Sequence, residues 1–121
     1  MAIKEIIQSF YNGIAQKNDE WKVNLAENVV FSDASNKLHA EGKEAFIQSF
    51  TGFLRAVESI QINQLIIEVN NACAVISYTY ISPKGDTLHQ NDAEIWKVED
   101  GKIVSLAIYF DITEFRNFMK G

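Results

Sequence analysis

Ile3, Ile6, Ile7, Phe10, Tyr11 and Ile14 recur every three or four positions, which lays an apolar stripe along one helix from about residue 3 to residue 17. The segment "KND" closes that helix. Asp19 is placed to cap a short second helix, in which Trp21 and Leu25 lie one turn apart. "NVVFSD" then reads as a strand ending at Asp33, and "KLHAEG" pairs back on it weakly. From Gly42, the residues Phe46, Ile47, Phe50, Phe53 and Leu54 mark a second helical face that runs to about residue 56.

After that helix the pattern turns to extended runs: residues 60 to 69, 72 to 82, 87 to 98 and 102 to 110, separated by "NN", "PKGD" and "EDG". Three consecutive hairpins make an antiparallel sheet. In the first run the apolar positions step from Ile60 and Ile62 to Leu65, Ile67 and Val69, a change of phase that predicts a bulge and a bent strand. Helices followed by long antiparallel strands is the α+β pattern, with helices packed on one face of a sheet.

Composition narrows the function classes. A chain of 121 residues, 47% hydrophobic and 22% charged, suits one globular domain spanning residues 1–121, and no segment carries the bias of disorder. A formal net charge of −5 lacks the positive surface needed to hold nucleic acid or an anionic membrane. The N-terminal segment "MAIKEIIQSF" is interrupted by Lys4, Glu5 and Gln8, which fits neither a signal sequence nor a membrane span. Cys73 is the only cysteine, lies in a strand-like run where burial is the ordinary expectation, and fits a reducing cytoplasm. His39, His89 and Cys73 do not have metal-ligand spacing, and no phosphate loop, dinucleotide fingerprint or Ser-His-acid set is present. No metal and no cofactor are expected.

The last hairpin decides which polar groups face inward, because one residue of slip turns every side chain over. A three-residue "EDG" loop would pair Val98 with Lys102, Trp96 with Val104 and Glu94 with Leu106. A two-residue turn at Asp100-Gly101 would instead put Glu94 on the face of Ser105 and Ala107. The first register is preferred, since it joins Trp96 and Val98 to Val104, Leu106, Ile108 and Phe110 on one apolar side. Glu94 then sits among them, where desolvation raises its pKa and makes it a neutral donor. Asp111, followed by Glu114, has the spacing of a capping box.

The order of elements, together with "EIWKVEDGKIVSLAIYFD" and the Gly-led "EGKEAFIQSF", resembles the nuclear transport factor 2-like superfamily, in its SnoaL-like and ketosteroid-isomerase-like branch. The resemblance implies a cone in which N-terminal helices pack in the concave face of a curved, mostly antiparallel sheet around an apolar pocket. Trp96, Leu106, Ile108, Phe110 and Phe50 are the expected pocket walls. In isomerase-like relatives an aspartate after the first strand moves the proton, while a helix tyrosine and a protonated strand acid hold the developing oxyanion. Asp33, Tyr11 and Glu94 fall on those positions, with Ala34 where the isomerase has proline and Glu where it has Asp. SnoaL-like cyclases place an acid/base aspartate after the last strand, where Asp111 stands.

Each residue has a plainer role beside the chemical one: Asp33 in a turn, Tyr11 reaching water, Glu94 on the outer face, Asp111 as a cap. Two functions are thus open. One is a cofactor-free isomerase, cyclase, dehydratase or hydrolase acting on an apolar carbonyl compound; the other is a pocket that holds a small hydrophobic ligand, or a fold kept for association. Ala93, Ile95, Ile103, Ala107 and Tyr109, expected on the outer side of the last two strands, predict a homodimer packed through the sheet.

Overall fold

A computed structural model describes residues 2–120 of the chain. Helix α1 (Ile3–Gln16) buries Ile6, Ile7, Phe10, Tyr11 and Ile14, the stripe that the spacing predicts. A 3-10 turn follows at Asp19–Lys22, capped by Asn18 in place of Asp19: the Asn18 side chain accepts from the Glu20 amide at 2.9 Å. Asp19 instead pairs with Lys22 on the surface. Gly13 lets this turn close on α1, since a Cβ there would lie 2.5 Å from the Trp21 nitrogen. Leu25 opens strand β1 (Leu25–Asp33), and β2 (His39–Glu41) pairs back on it. Helix α2 (Lys43–Leu54) faces the core with Phe46, Phe50 and Phe53.

Strands β3 (Val57–Glu68), β4 (Asn71–Ile81), β5 (Thr87–Glu99) and β6 (Lys102–Tyr109) follow, and helix α3 (Ile112–Lys120) ends the chain's described part. The sheet order is β2-β1-β6-β5-β4-β3, antiparallel throughout except for the parallel pair β1 and β6. This is an α+β cone: a curved, mostly antiparallel six-stranded sheet with helices in its concave face. The phase change in β3 is a register shift between Ile62 and Gln64, where the sequence pattern places the bulge. Cys73 is half-buried and alternates with the buried Ala72 and Ala74, so it lies on the outer face.

The β5–β6 hairpin corrects the expected register. Asp100 and Gly101 both have positive φ, 50° and 75°, so the turn has two residues and Glu99 pairs with Lys102. Val104 is then an extra residue that shifts the pairing, so that Trp96 faces Leu106 and Glu94 faces Ile108. The bulge restores the inward face that the three-residue loop would have produced, with a different partner for Glu94. The two-residue turn also sets Ile103, expected outside, opposite Val98 and so in the core, where it is fully buried. Ala93, Ile95, Ala107 and Tyr109 do face outward, and Ile95 and Tyr109 remain exposed.

Phe10 is the centre of the aromatic core. Its ring meets Trp96 at 4.7 Å, Phe50 at 5.2 Å and Trp21 at 5.9 Å. Edge-to-face and tilted contacts of this kind add roughly 0.5–1.5 kcal/mol each beyond burial. A second aromatic layer, Phe53, Tyr78, Tyr80 and Phe115, continues the interior towards α3. No described helix is long and apolar enough to cross a membrane.

Candidate functional site

Strand β5 points Gln90, Asp92, Glu94, Trp96 and Val98 inward, one after another, because side chains alternate with period two. Apolar residues fill the far end of that row, and three polar ones fill the near end. Glu94 is fully buried. Its Oε1 accepts from the Tyr11 hydroxyl, its Oε2 accepts from the Tyr78 hydroxyl at 2.8 Å, and Trp96 Nε1 donates to the Tyr11 oxygen at 3.0 Å. Burial is the main reason that Glu94 is pushed up to about 7, against the lowering effect of the two tyrosines. Burial, followed by the Glu94 charge, holds both Tyr11 and Tyr78 well above the usual phenol range.

Asp92 lies two residues earlier and is 1% exposed. Tyr80 donates to its Oδ2 over a long 3.4 Å, while Oδ1 has no hydrogen-bond partner among the described residues. Burial first and the Glu94 charge second push Asp92 up to about 8. Gln90, the next inward residue, has its Nε2 donating to the Asp111 carbonyl at 3.0 Å and to Glu114 Oε1 at 2.8 Å. Its Oε1 is buried and, among the described residues, unpartnered. Two unpartnered oxygens thus stand on the same face of the strand, two residues apart.

The structure joins Tyr11 and Glu94 in one hydrogen-bonded cluster and gives Asp33 and Asp111 other partners. Asp33 Oδ1 accepts from the Leu38 amide at 2.7 Å, and Oδ2 accepts from the Ser35 amide at 3.1 Å and the Ser35 hydroxyl. Burial works to raise its pKa, but these donors together outweigh it and the net shift is downward. Both oxygens serve the turn. Asp111 Oδ1 accepts from the Glu114 amide at 2.9 Å and caps α3, while the Glu114 carboxylate turns to Gln90 instead of reaching back. Trp96, Phe50, Leu106 and Ile108 are packed in the core, and Phe110 is half-buried at its edge against Phe53 and Phe115.

Asp92, Tyr78 and Tyr80 were not among the residues that the sequence singled out. The signal was present for Asp92: once Glu94 faces inward, the residue two positions earlier does too. Among the described residues no group of three His, Cys, Asp or Glu is arranged to hold a metal ion. Chemically, this row offers buried carboxyl groups that titrate near neutrality beside phenolic donors, the equipment for moving a proton.

Known proteins place the fold. A family model of the SnoaL-like domain matches residues 7–106. A search of curated proteins finds no match. Among solved structures, an NTF2-like protein of unknown function from Burkholderia pseudomallei superimposes with a TM-score of 0.86 at 12% identity, covering 100% of both chains. A candidate SnoaL-like polyketide cyclase from Jannaschia sp. CCS1 gives 0.84 at 14% identity, covering 98% of this chain and 92% of that one. TerC, co-crystallised with polyporic acid, gives 0.82 at 14% identity over 98% of both. At these identities the likeness shows a shared fold, and with the family match over most of its length the chain belongs to the SnoaL-like domain family.

Proposed function

We propose that this chain is a cofactor-independent enzyme of the isomerase or cyclase kind, which moves a proton on a small apolar carbonyl compound with Asp92 as the acid/base group. The observation that carries this reading is the Asp92 carboxyl group, buried, with one oxygen unpartnered among the described residues. Ionised Asp92 takes a proton from the carbon beside a carbonyl through Oδ1. The bonding pair moves onto the carbonyl oxygen as an enolate, and the Tyr80 hydroxyl, held only loosely at 3.4 Å, turns to donate to that oxygen. Asp92 then returns the proton to another carbon. Glu94, bound by Tyr11 and Tyr78, is a positioning residue whose charge raises the basicity of Asp92.

The test is deuterium uptake from heavy water into an enolisable ketone such as β-tetralone, followed by NMR. Uptake above buffer should rise with pH through the Asp92 value of about 8 and be lost in Asp92→Asn. No uptake above buffer for a series of such ketones would sink the reading. The second reading, a non-catalytic ligand-binding or association module, is favoured by the closely packed rings around Glu94, which leave Trp96 and Phe50 fully buried.

We also infer a homodimer packed through the outer face of the sheet. Ile66, Ile95 and Tyr109 are 52%, 40% and 50% exposed there, beside the half-buried Cys73, Val75, Ala93 and Ala107. Sedimentation should give twice the chain mass, falling to one chain in Ile95→Lys; a single-chain mass for the wild type at micromolar concentration would exclude the dimer.

A further inference from the structure

The C-terminal ends of α1 and α2 enclose, with the start of β3, a cavity of about 270 Å³. Ile14, Leu54 and Val57 supply its apolar wall, and Lys17, Thr51 and Arg55 its polar one. No residue of β5 lines it, so it stands apart from the row that carries Asp92 and Glu94. Its charge runs against that of the chain: with a net charge of −5 overall, this lining holds two cations and no carboxylate. The groove between α1 and β3 has Glu5 and Glu20 in its wall, and the cavity between α2 and α3 has no charged side chain.

Neither cation is neutralised by a carboxylate. Among the described residues Lys17 and Arg55 enter no ion pair, in contrast to Lys22 with Asp19 and Lys97 with Glu99. At the two helix ends the Gly13, Ile14, Thr51 and Phe53 carbonyls are already engaged by backbone amides. Lys17 also stands where a lysine is costly: it ends α1 in the left-handed conformation, with φ 57° and ψ 46°, which glycine adopts most easily. A glycine there would leave the cavity without its amine. The lysine instead carries Nζ across to the Val57 carbonyl at 3.3 Å, 40 residues along the chain, and is held at the rim.

We infer that this cavity is a second ligand site, which takes a small organic carboxylate. The anionic head lies between Lys17 and Arg55, and an apolar body of one ring or a short alkyl chain lies against Ile14, Leu54 and Val57. Chemistry sets the head: a guanidinium presents a fork of N–H donors that matches a carboxylate, and the Lys17 ammonium has three donors, of which Val57 takes one. Size sets the body. A cavity of roughly 150 Å³ holds a benzene ring, so 270 Å³ has room for one ring and its head group. Both cations are exposed, so their attraction for the head is screened by salt, and the apolar wall is what separates this ligand from a simple anion.

Binding to the full chain at low salt tests this. Phenylacetate, its neutral isostere phenylacetamide, and acetate are titrated in while the NMR signals of Ile14, Thr51 and Val57 are followed. Phenylacetate should bind about fivefold more tightly than phenylacetamide, an advantage that shrinks as salt is added. Acetate, which lacks the ring, should bind at least about tenfold more weakly than phenylacetate. Arg55→Gln and Lys17→Gln should each reduce that advantage, and together remove it, with phenylacetamide affinity unchanged. Asp92→Asn should leave phenylacetate binding as it is, because the cavity does not include β5. Equal affinities for phenylacetate and phenylacetamide, or no shift of these signals at millimolar phenylacetate, would overturn the site. So would acetate binding as well as phenylacetate, which would mark charge attraction alone, or a loss of binding in Asp92→Asn, which would put the ligand beside β5.

Discussion

Tyr11 on the first helix donates its hydroxyl hydrogen to Glu94 on β5, 83 residues further along the chain, and receives one from Trp96 on the same oxygen. Removing that oxygen orphans two buried groups at once. Tyr11→Phe should therefore cost on the order of 3 kcal/mol, and Tyr78→Phe, which removes one bond to Glu94, roughly half of that. Urea unfolding of the two variants gives the order. Equal losses would mean that the Trp96 bond adds nothing.

Stability should fall as pH rises through neutrality. Between 3.8 and about 8 folded Asp92 keeps a proton that the unfolded chain has lost, and Glu94 does the same between 4.5 and about 7. Each such group lowers stability by up to about 1.4 kcal/mol per pH unit across its window, and the loss is complete above the folded value. Asp33 acts oppositely: its lowered pKa adds stability above 3.8, which is lost as pH falls through the folded value. Thermal unfolding should show a maximum near pH 4, where the Asp33 gain is complete and the Asp92 and Glu94 losses begin, and Asp92→Asn should flatten the decline towards pH 8. A wild-type stability that climbs over this range would show that neither acid is held neutral.

Val69 sits at the tip of the β3–β4 hairpin with φ of 56° and 80% of its surface exposed, a conformation costly for a β-branched residue. The tip is fixed, because the adjacent Asn70 carbonyl accepts from the Val98 amide at 2.9 Å. Val69→Gly should raise stability by about 1 kcal/mol and the melting temperature by roughly 4 °C. No buried contact is lost in the exchange, so an unchanged or lower melting temperature would argue that the turn relaxes without cost.

Much of the fold was legible along the chain, because apolar period reports directly on which face is buried. The α1 stripe, the Phe46-Phe50-Phe53 face and the β3 bulge follow from spacing alone. Asp111 and Glu114 carry the cap in their spacing, although only the Asp111 half of the expected box forms. The inward face of β5 was also within reach, since alternation carries every second residue from Gln90 to Val98 to the same side.

Contacts between distant segments were not legible, and they decide the site. Local spacing cannot show that the hairpin combines a two-residue turn with a bulge at Val104, so it leaves Ile103 on the wrong side and gives Glu94 the wrong partner. Nor can it show that Asp33 has both oxygens engaged by Ser35 and Leu38, while Asp92, with no motif to mark it, keeps one free. A carboxyl group's burial and hydrogen bonds depend on what packs over it from α1, β4 and α3. The sequence by itself determined the elements, their order and the face each one buries, because those follow from local period and turn chemistry. Only the tertiary structure decided which acids are spent on turns and caps and which remain available, because desolvation and partner count arise from groups that meet across the fold.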